Sequence, residues 1–144
     1  MSTRDEHKLR LRQIIERECD GSRMNDTKWM EMLDVLRDLW LWSRVKWLDD
    51  AKVSHWTRYI QGGFSSYLPM PYIEGPSTPT IVLAIEWMEI DPIGAADKVD
   101  YRQEIEKRLE SVNVPYTWEG SAIRVTGHIR KNNPPALKGR ATAE

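Results

Sequence analysis

Thr80-Ile81-Val82-Leu83-Ala84-Ile85-Glu86-Trp87-Met88-Glu89-Ile90-Asp91 is the stretch on which the fold turns. Read as an extended strand, Ile81, Leu83, Ile85 and Trp87 point one way, and Val82, Ala84, Glu86, Met88 and Ile90 the other. Both sides are apolar, which is the pattern of a central strand covered on two faces. Pro92 and Gly94 are expected to end it.

Downstream, Asp97 or Asp100 is placed to cap a helix running to about Asn113, with Tyr101, Ile105, Leu109 and Val112 as its buried stripe. Pro115 stops that helix. Two strands follow, Tyr116 to Glu119 and Ala122 to Ile129, joined through the tight Glu119-Gly120-Ser121 connection. The second alternates, with Ile123, Val125 and Ile129 expected inward and Arg124, Thr126 and His128 outward.

Upstream lies a long region of turn formers and aromatics, Gly62 to Pro79, with a short strand expected around Tyr72-Ile73. Before it, Val53, Trp56 and Ile60 share one face of a short helix expected between Asp50 and Ile60. The tryptophan-rich stretch Trp40-Leu41-Trp42-Ser43-Arg44-Val45-Lys46-Trp47 carries a strand from about Trp42 to Leu48. Trp42, Arg44 and Lys46 would line one face, with Val45 and Trp47 on the other. Asn25 or Thr27 caps a helix to about Asp38 whose stripe is Trp29, Leu33, Leu36 and Trp40, so Trp40 and Trp47 are both expected in the core. The charged segment Arg4 to Cys19 reads as a further helix with a narrow stripe of Leu11, Ile14 and Ile15.

The order is α-α-β-(loop)-β-β-α-β-β. It predicts an α+β fold, a mainly antiparallel sheet of about four or five strands packed with two or three helices. The expected division is a charged helix over 1–22, a single α+β domain over 23–130 and a disordered tail over 131–144.

The totals fit a soluble globular protein: 144 residues, 40% hydrophobic and 30% charged. The lone Cys19 cannot form an internal disulfide, and no Cys/His cluster has zinc spacing. The first residues are charged, and no apolar run approaches a membrane span. A cytoplasmic location with no membrane contact and no cofactor is expected. The net charge is only −1 but unevenly spread. From Gln61 to Asp100 six acids face one base, and from Tyr101 onward eight bases face five acids. This asymmetry suits a charged partner but falls short of a nucleic-acid stripe.

Several side chains could carry chemistry. Glu86, set among apolar neighbours, could act as a general acid if burial raised its pKa, or could simply pair with an arginine. His55 and His128 are the histidines that could assist it, although neither has a diagnostic partner. Glu89 and Asp91, with Asp97 swinging in, could hold a divalent cation, or could be a solvated strand end. No serine lies in a nucleophile elbow, and Gly62-Gly63 lacks the lysine of a phosphate loop. Trp42, Arg44 and Lys46 form an aromatic-basic face. Phe64, Tyr67 and Tyr72 could anchor a partner or fold back to seal the core.

Three segments taken together, Arg44-Val45-Lys46-Trp47-Leu48-Asp49-Asp50, Glu86-Trp87-Met88-Glu89-Ile90-Asp91-Pro92 and Ile123-Arg124-Val125-Thr126-Gly127-His128-Ile129, resemble an uncharacterised family of small bacterial cytosolic proteins. The resemblance implies a bacterial source and a compact domain, and it carries no catalytic residue onto this chain. The expected function is a non-enzymatic protein-binding module of immunity or adaptor type, with a partner that suits the acidic middle segment and is therefore basic. The alternatives are a small enzyme built on Glu86 with a nearby histidine, and a homodimer joined through an exposed strand face.

Overall fold

The structure, a computed structural model, describes residues 3–60, 64–65, 72–73 and 80–131. The elements run α1 (Thr3–Glu18), β1 (Cys19–Ser22), α2 (Asp26–Leu36), β2 (Leu41–Trp47), β3 (Phe64–Ser65), β4 (Tyr72–Ile73), β5 (Thr80–Ile81), a 3-10 turn (Val82–Ala84), β6 (Ile85–Gly94), α3 (Arg102–Ser111), β7 (Thr117–Glu119), β8 (Ala122–Thr126) and β9 (His128–Arg130). The fold is α+β. Its main sheet is antiparallel in the order β2-β6-β8-β7, with smaller sheets β1-β9 and β3-β4-β5.

β6 is the central strand, paired on both sides. One sheet face carries Val45, Met88, Ile90, Ile123 and Val125, all buried. They join Trp29, Met32, Leu33 and Leu36 of α2 and Ile105 and Leu109 of α3 in the principal core. Each such side chain contributes on the order of 1.5–3 kcal/mol through burial. Asn25 caps α2, its side chain accepting from Lys28 N at 2.8 Å. A second, smaller core lies under α1, where Leu11 meets Leu48, Ile81 and Ala84.

The apolar run from Thr80 is not one continuous strand. The 3-10 turn Val82–Ala84 breaks it, and the break has a packing reason: Val82 enters the principal core while Ala84 enters the smaller one. An unbroken apolar run has no period that could show this. At the other end β6 continues through Pro92 to Gly94. Pro92 lies in the irregular stretch between the Ser43–Ile90 and Leu41–Gly94 pairs, where a missing N–H costs no regular ladder bond.

Residues 50–60 do not form the expected helix. They run extended along the outer edge of β2, with bridges Lys46–Val53 and Ser43–Thr57. Ser43 and Thr57 exchange backbone hydrogen bonds of 2.8 Å each, so the edge of β2 is partly covered. Trp40 is not core: α2 stops at Leu36, Leu39 takes the buried place, and Trp40 is 51% exposed under the Arg58 guanidinium. The chain from Cys19 to Ser22, expected to finish a helix, is a strand against β9.

His128 is buried, not outward. The expected strand Ala122–Ile129 breaks at Gly127, which inverts the alternation beyond it. Gly127 passes so close to β6 that a Cβ there would sit 2.2 Å from the Ile85 carbonyl oxygen, and its N–H donates to Glu86 O at 2.7 Å. Only glycine permits that approach. Of the expected disordered tail, 131–144, Lys131 is described and donates through its backbone N–H to the Glu18 carbonyl at 2.8 Å, while 132–144 lie outside the described residues, as do Tyr67 and most of the region 62–79.

Candidate functional site

The sheet face opposite the principal core is built by the period of two. Trp42, Arg44 and Lys46 of β2 face the same side as Trp87 and Glu89 of β6 and Arg124 and Thr126 of β8. Arg44, Glu89 and Arg124 are cross-strand neighbours in one row. Arg44 donates through Nε to Glu89 Oε1 at 2.8 Å, and Arg124 donates through Nε and Nη2 to Oε2 at 2.9 and 2.7 Å. The row is flanked by rings. Arg44 lies 4.7 Å from the Trp56 ring centroid, and Arg124 lies 4.1 Å from that of Trp87. Both distances are within cation–π range.

The result is a flat ladder, Trp56–Arg44–Glu89–Arg124–Trp87, with the carboxylate side chain only 2% exposed. At the β2 edge of this ladder, Trp42, Trp56 and Asp91 line a shallow cleft of about 280 Å³. Trp42 and Trp56 are 37% and 39% exposed. Asp91 is half-buried, and its Oδ1 accepts from Ile93 N at 3.0 Å. Among the described residues no cation forms a salt bridge with it.

A second cleft, of about 590 Å³, opens at the other end of β2, where Lys46, Asp49, Asp50, Glu86 and Arg130 contribute to its lining. The register shift between Lys46 and Trp47 leaves Glu86 outside the β2 ladder. Its Oε1 accepts from Lys46 Nζ at 3.2 Å and from Arg130 Nε at 3.0 Å. Arg130 also reaches Glu18 and the Leu48 carbonyl, which ties α1 to β9 and the end of β2. Glu86 is thus an ion-pair anchor at the edge of a cleft.

His128 lies behind this cluster. Its Nε2 is 2.9 Å from the Leu83 carbonyl, and its Nδ1 is 2.6 Å from Ser22 Oγ. A carbonyl only accepts, so Nε2 carries the proton and, in the neutral ring, Nδ1 accepts from the Ser22 hydroxyl. Burial holds the imidazole below its ordinary pKa, which favours that neutral ring. Both nitrogens are occupied by structural bonds. Burial likewise pushes the Cys19 thiol up, with Arg130 opposing.

The chain matches the family model DUF6678, described as a family of unknown function, over residues 11–132. It belongs to that family. The match spans both clefts and the whole Trp/Arg/Glu ladder. No curated protein and no solved structure matches the chain. Membership in this DUF6678 family agrees with the resemblance to an uncharacterised family and leaves the chemistry to be argued from the site.

The structure gathers some of the sequence-selected residues in this DUF6678 chain and separates others. Trp42, Arg44 and Lys46 do share a face, but Lys46 is turned toward Glu86 and the Trp47 carbonyl. His55 is exposed on the edge segment, and among the described residues no hydrogen bond or ion pair links it to Glu86. Glu89, Asp91 and Asp97 are not brought together as ligands. Glu89 is taken by two arginines, and Asp97 accepts from Val99 N and the Tyr101 hydroxyl. Among the described residues no group of three His, Cys, Asp or Glu side chains could hold a metal. Tyr72 is half-buried against the smaller core, and nothing is described of the Phe64 side chain. No helix among the described residues is long and apolar enough to cross a membrane.

Trp56 and Arg124 were the residues sequence reasoning missed. The sequence pattern puts Trp56 on a helix face and Arg124 on the outward side of a strand, and neither placement marks a site. Arg124 carries no sequence signal of this role, because its meeting with Glu89 depends on the register of β8 against β6.

Proposed function

We propose that this chain is a non-enzymatic protein-binding module of bacterial adaptor or immunity type, acting in the cytoplasm through the Trp42/Trp56 end of the ladder. The observation that carries the reading is the exposure of Trp42 and Trp56 around a cleft beside an ordered arginine. Tryptophan and arginine dominate the energetics of protein interfaces, because large rigid rings and a planar cation give contact area at small entropic cost. Here the arginine is already fixed by Glu89, so little order remains to be gained on binding.

The experiment is affinity capture from a lysate of the source organism with wild type, Trp42→Ala and Trp56→Ala. A partner held by wild type and lost by both variants, with melting temperatures unchanged, is the expected result. Equal capture by all three would overturn the reading.

A second reading, a small enzyme using Glu86, has one observation in its favour: Glu86 lines the larger cleft. Against it stand the two cations on its carboxylate and the occupied nitrogens of His128. A small-molecule thermal-shift screen in which hits vanish with Glu86→Gln would favour it. The homodimer alternative requires self-association, and light scattering across concentrations decides it.

A further inference from the structure

We infer that the Trp42/Trp56/Asp91 cleft is a seat for a lysine ammonium presented by a basic segment of a protein partner. The inference rests on the protein-binding reading above and specifies the partner's chemistry.

Three features point to a cation. Two exposed indoles line the cleft, and an indole face attracts positive charge more strongly than the other aromatic rings do. Asp91 supplies a half-buried carboxylate to the same cleft, and no salt bridge among the described residues neutralises it. The nearby Arg44 does not fill this role, because its guanidinium is committed to Glu89 on one side and to the Trp56 ring on the other. Glu89 in turn is saturated by Arg44 and Arg124. Asp91 is therefore the acid left to face an incoming charge.

Two features select lysine over arginine. Arginine binds carboxylates best through two parallel hydrogen bonds that use both oxygens. Asp91 Oδ1 already accepts from Ile93 N–H, so the carboxylate offers a fork one lone pair fewer, while a single ammonium contact needs only one. Lysine brings a point charge on a flexible apolar stem, and the stem can lie along the indoles while the ammonium meets the carboxylate.

The probe is a capped Gly-Lys-Gly tripeptide, followed through the indole N–H signals of Trp42 and Trp56 in NMR titrations of the full chain. The Nε-acetylated and Gly-Arg-Gly peptides serve as controls. The lysine peptide is expected to shift both signals saturably, the arginine peptide to bind more weakly, and the acetylated peptide to leave them in place. Asp91→Asn keeps the acceptor for Ile93 N–H and should weaken the lysine peptide by about tenfold, the loss of one charge-assisted contact. Equal shifts with the acetylated peptide, or none with the lysine peptide, would overturn the inference.

Capture experiments separate the two levels. A partner lost by Trp42→Ala but kept by Asp91→Asn overturns the lysine seat and leaves the binding reading standing. A partner kept by Trp42→Ala, Trp56→Ala and Asp91→Asn alike removes the binding reading. A partner lost by all three supports both.

Discussion

Glu89→Gln should destabilise the protein more than the loss of either arginine it holds. The carboxylate side chain is 2% exposed, while the Arg44 and Arg124 side chains are 38% and 26% exposed. Glutamine keeps the size of the side chain but removes the charge, leaving two cations on one sheet row. Removing one member of a buried ion pair costs about 3–5 kcal/mol. The part-exposed guanidinium groups can rehydrate, which lowers the expectation to roughly 2–3 kcal/mol. For a chain of this size that is a fall of roughly 5–10 °C in Tm. Arg44→Gln and Arg124→Gln each leave Glu89 one cation and should cost about 1 kcal/mol apiece. The assay is urea unfolding with two probes, reading the midpoint at constant m. Coupling should appear as a double-mutant cycle in which Glu89→Gln makes the arginine substitutions nearly neutral. Full additivity, or a Glu89→Gln variant within about 0.5 kcal/mol of wild type, would refute the ladder as a structural unit.

Three further outcomes follow from other parts of the fold. His128 is held below its ordinary pKa by burial, so between its folded and unfolded values the unfolded chain binds the extra proton. Stability should therefore fall as pH drops below the ordinary value of 6.5, and His128→Gln should flatten that slope in thermal melts from pH 8 to pH 5. Gly127→Ala places a Cβ 2.2 Å from the Ile85 carbonyl oxygen and should cost at least about 1–3 kcal/mol, seen as a lowered urea midpoint. Leu11→Ala empties a fully buried position under α1 and should cost about 2–5 kcal/mol if α1 is integral to the fold. Unchanged stability there, with circular dichroism still showing the helix, would mean that α1 is merely appended.

Much of the architecture was legible because it rests on short-range patterns. The stripe Trp29, Leu33, Leu36 and the cap Asn25 lie within a few turns of one another, and both are found. The placement of Trp42 and Val45 on opposite faces of β2 is likewise local. The misreadings cluster where a distant strand intervenes. Residues 50–60 carry a helical spacing of apolar residues, yet the unpaired edge of β2 draws them into an extended bridge. His128 inverts because Gly127 must clear the backbone of β6, some forty residues earlier in the chain.

The same division holds for the candidate site. Sequence alone determined that Trp42, Arg44 and Lys46 share a face and that Glu86 and Glu89 lie on a central strand, because both follow from the period of an extended chain. Which acid meets which base could not follow from it. Lys46 goes to Glu86, Arg44 and Arg124 go to Glu89, and Trp56 and Asp91 meet beside Trp42 only because register and a bulge place them there. Those pairings join residues far apart in sequence, and sheet registration, which is a tertiary property, decides them.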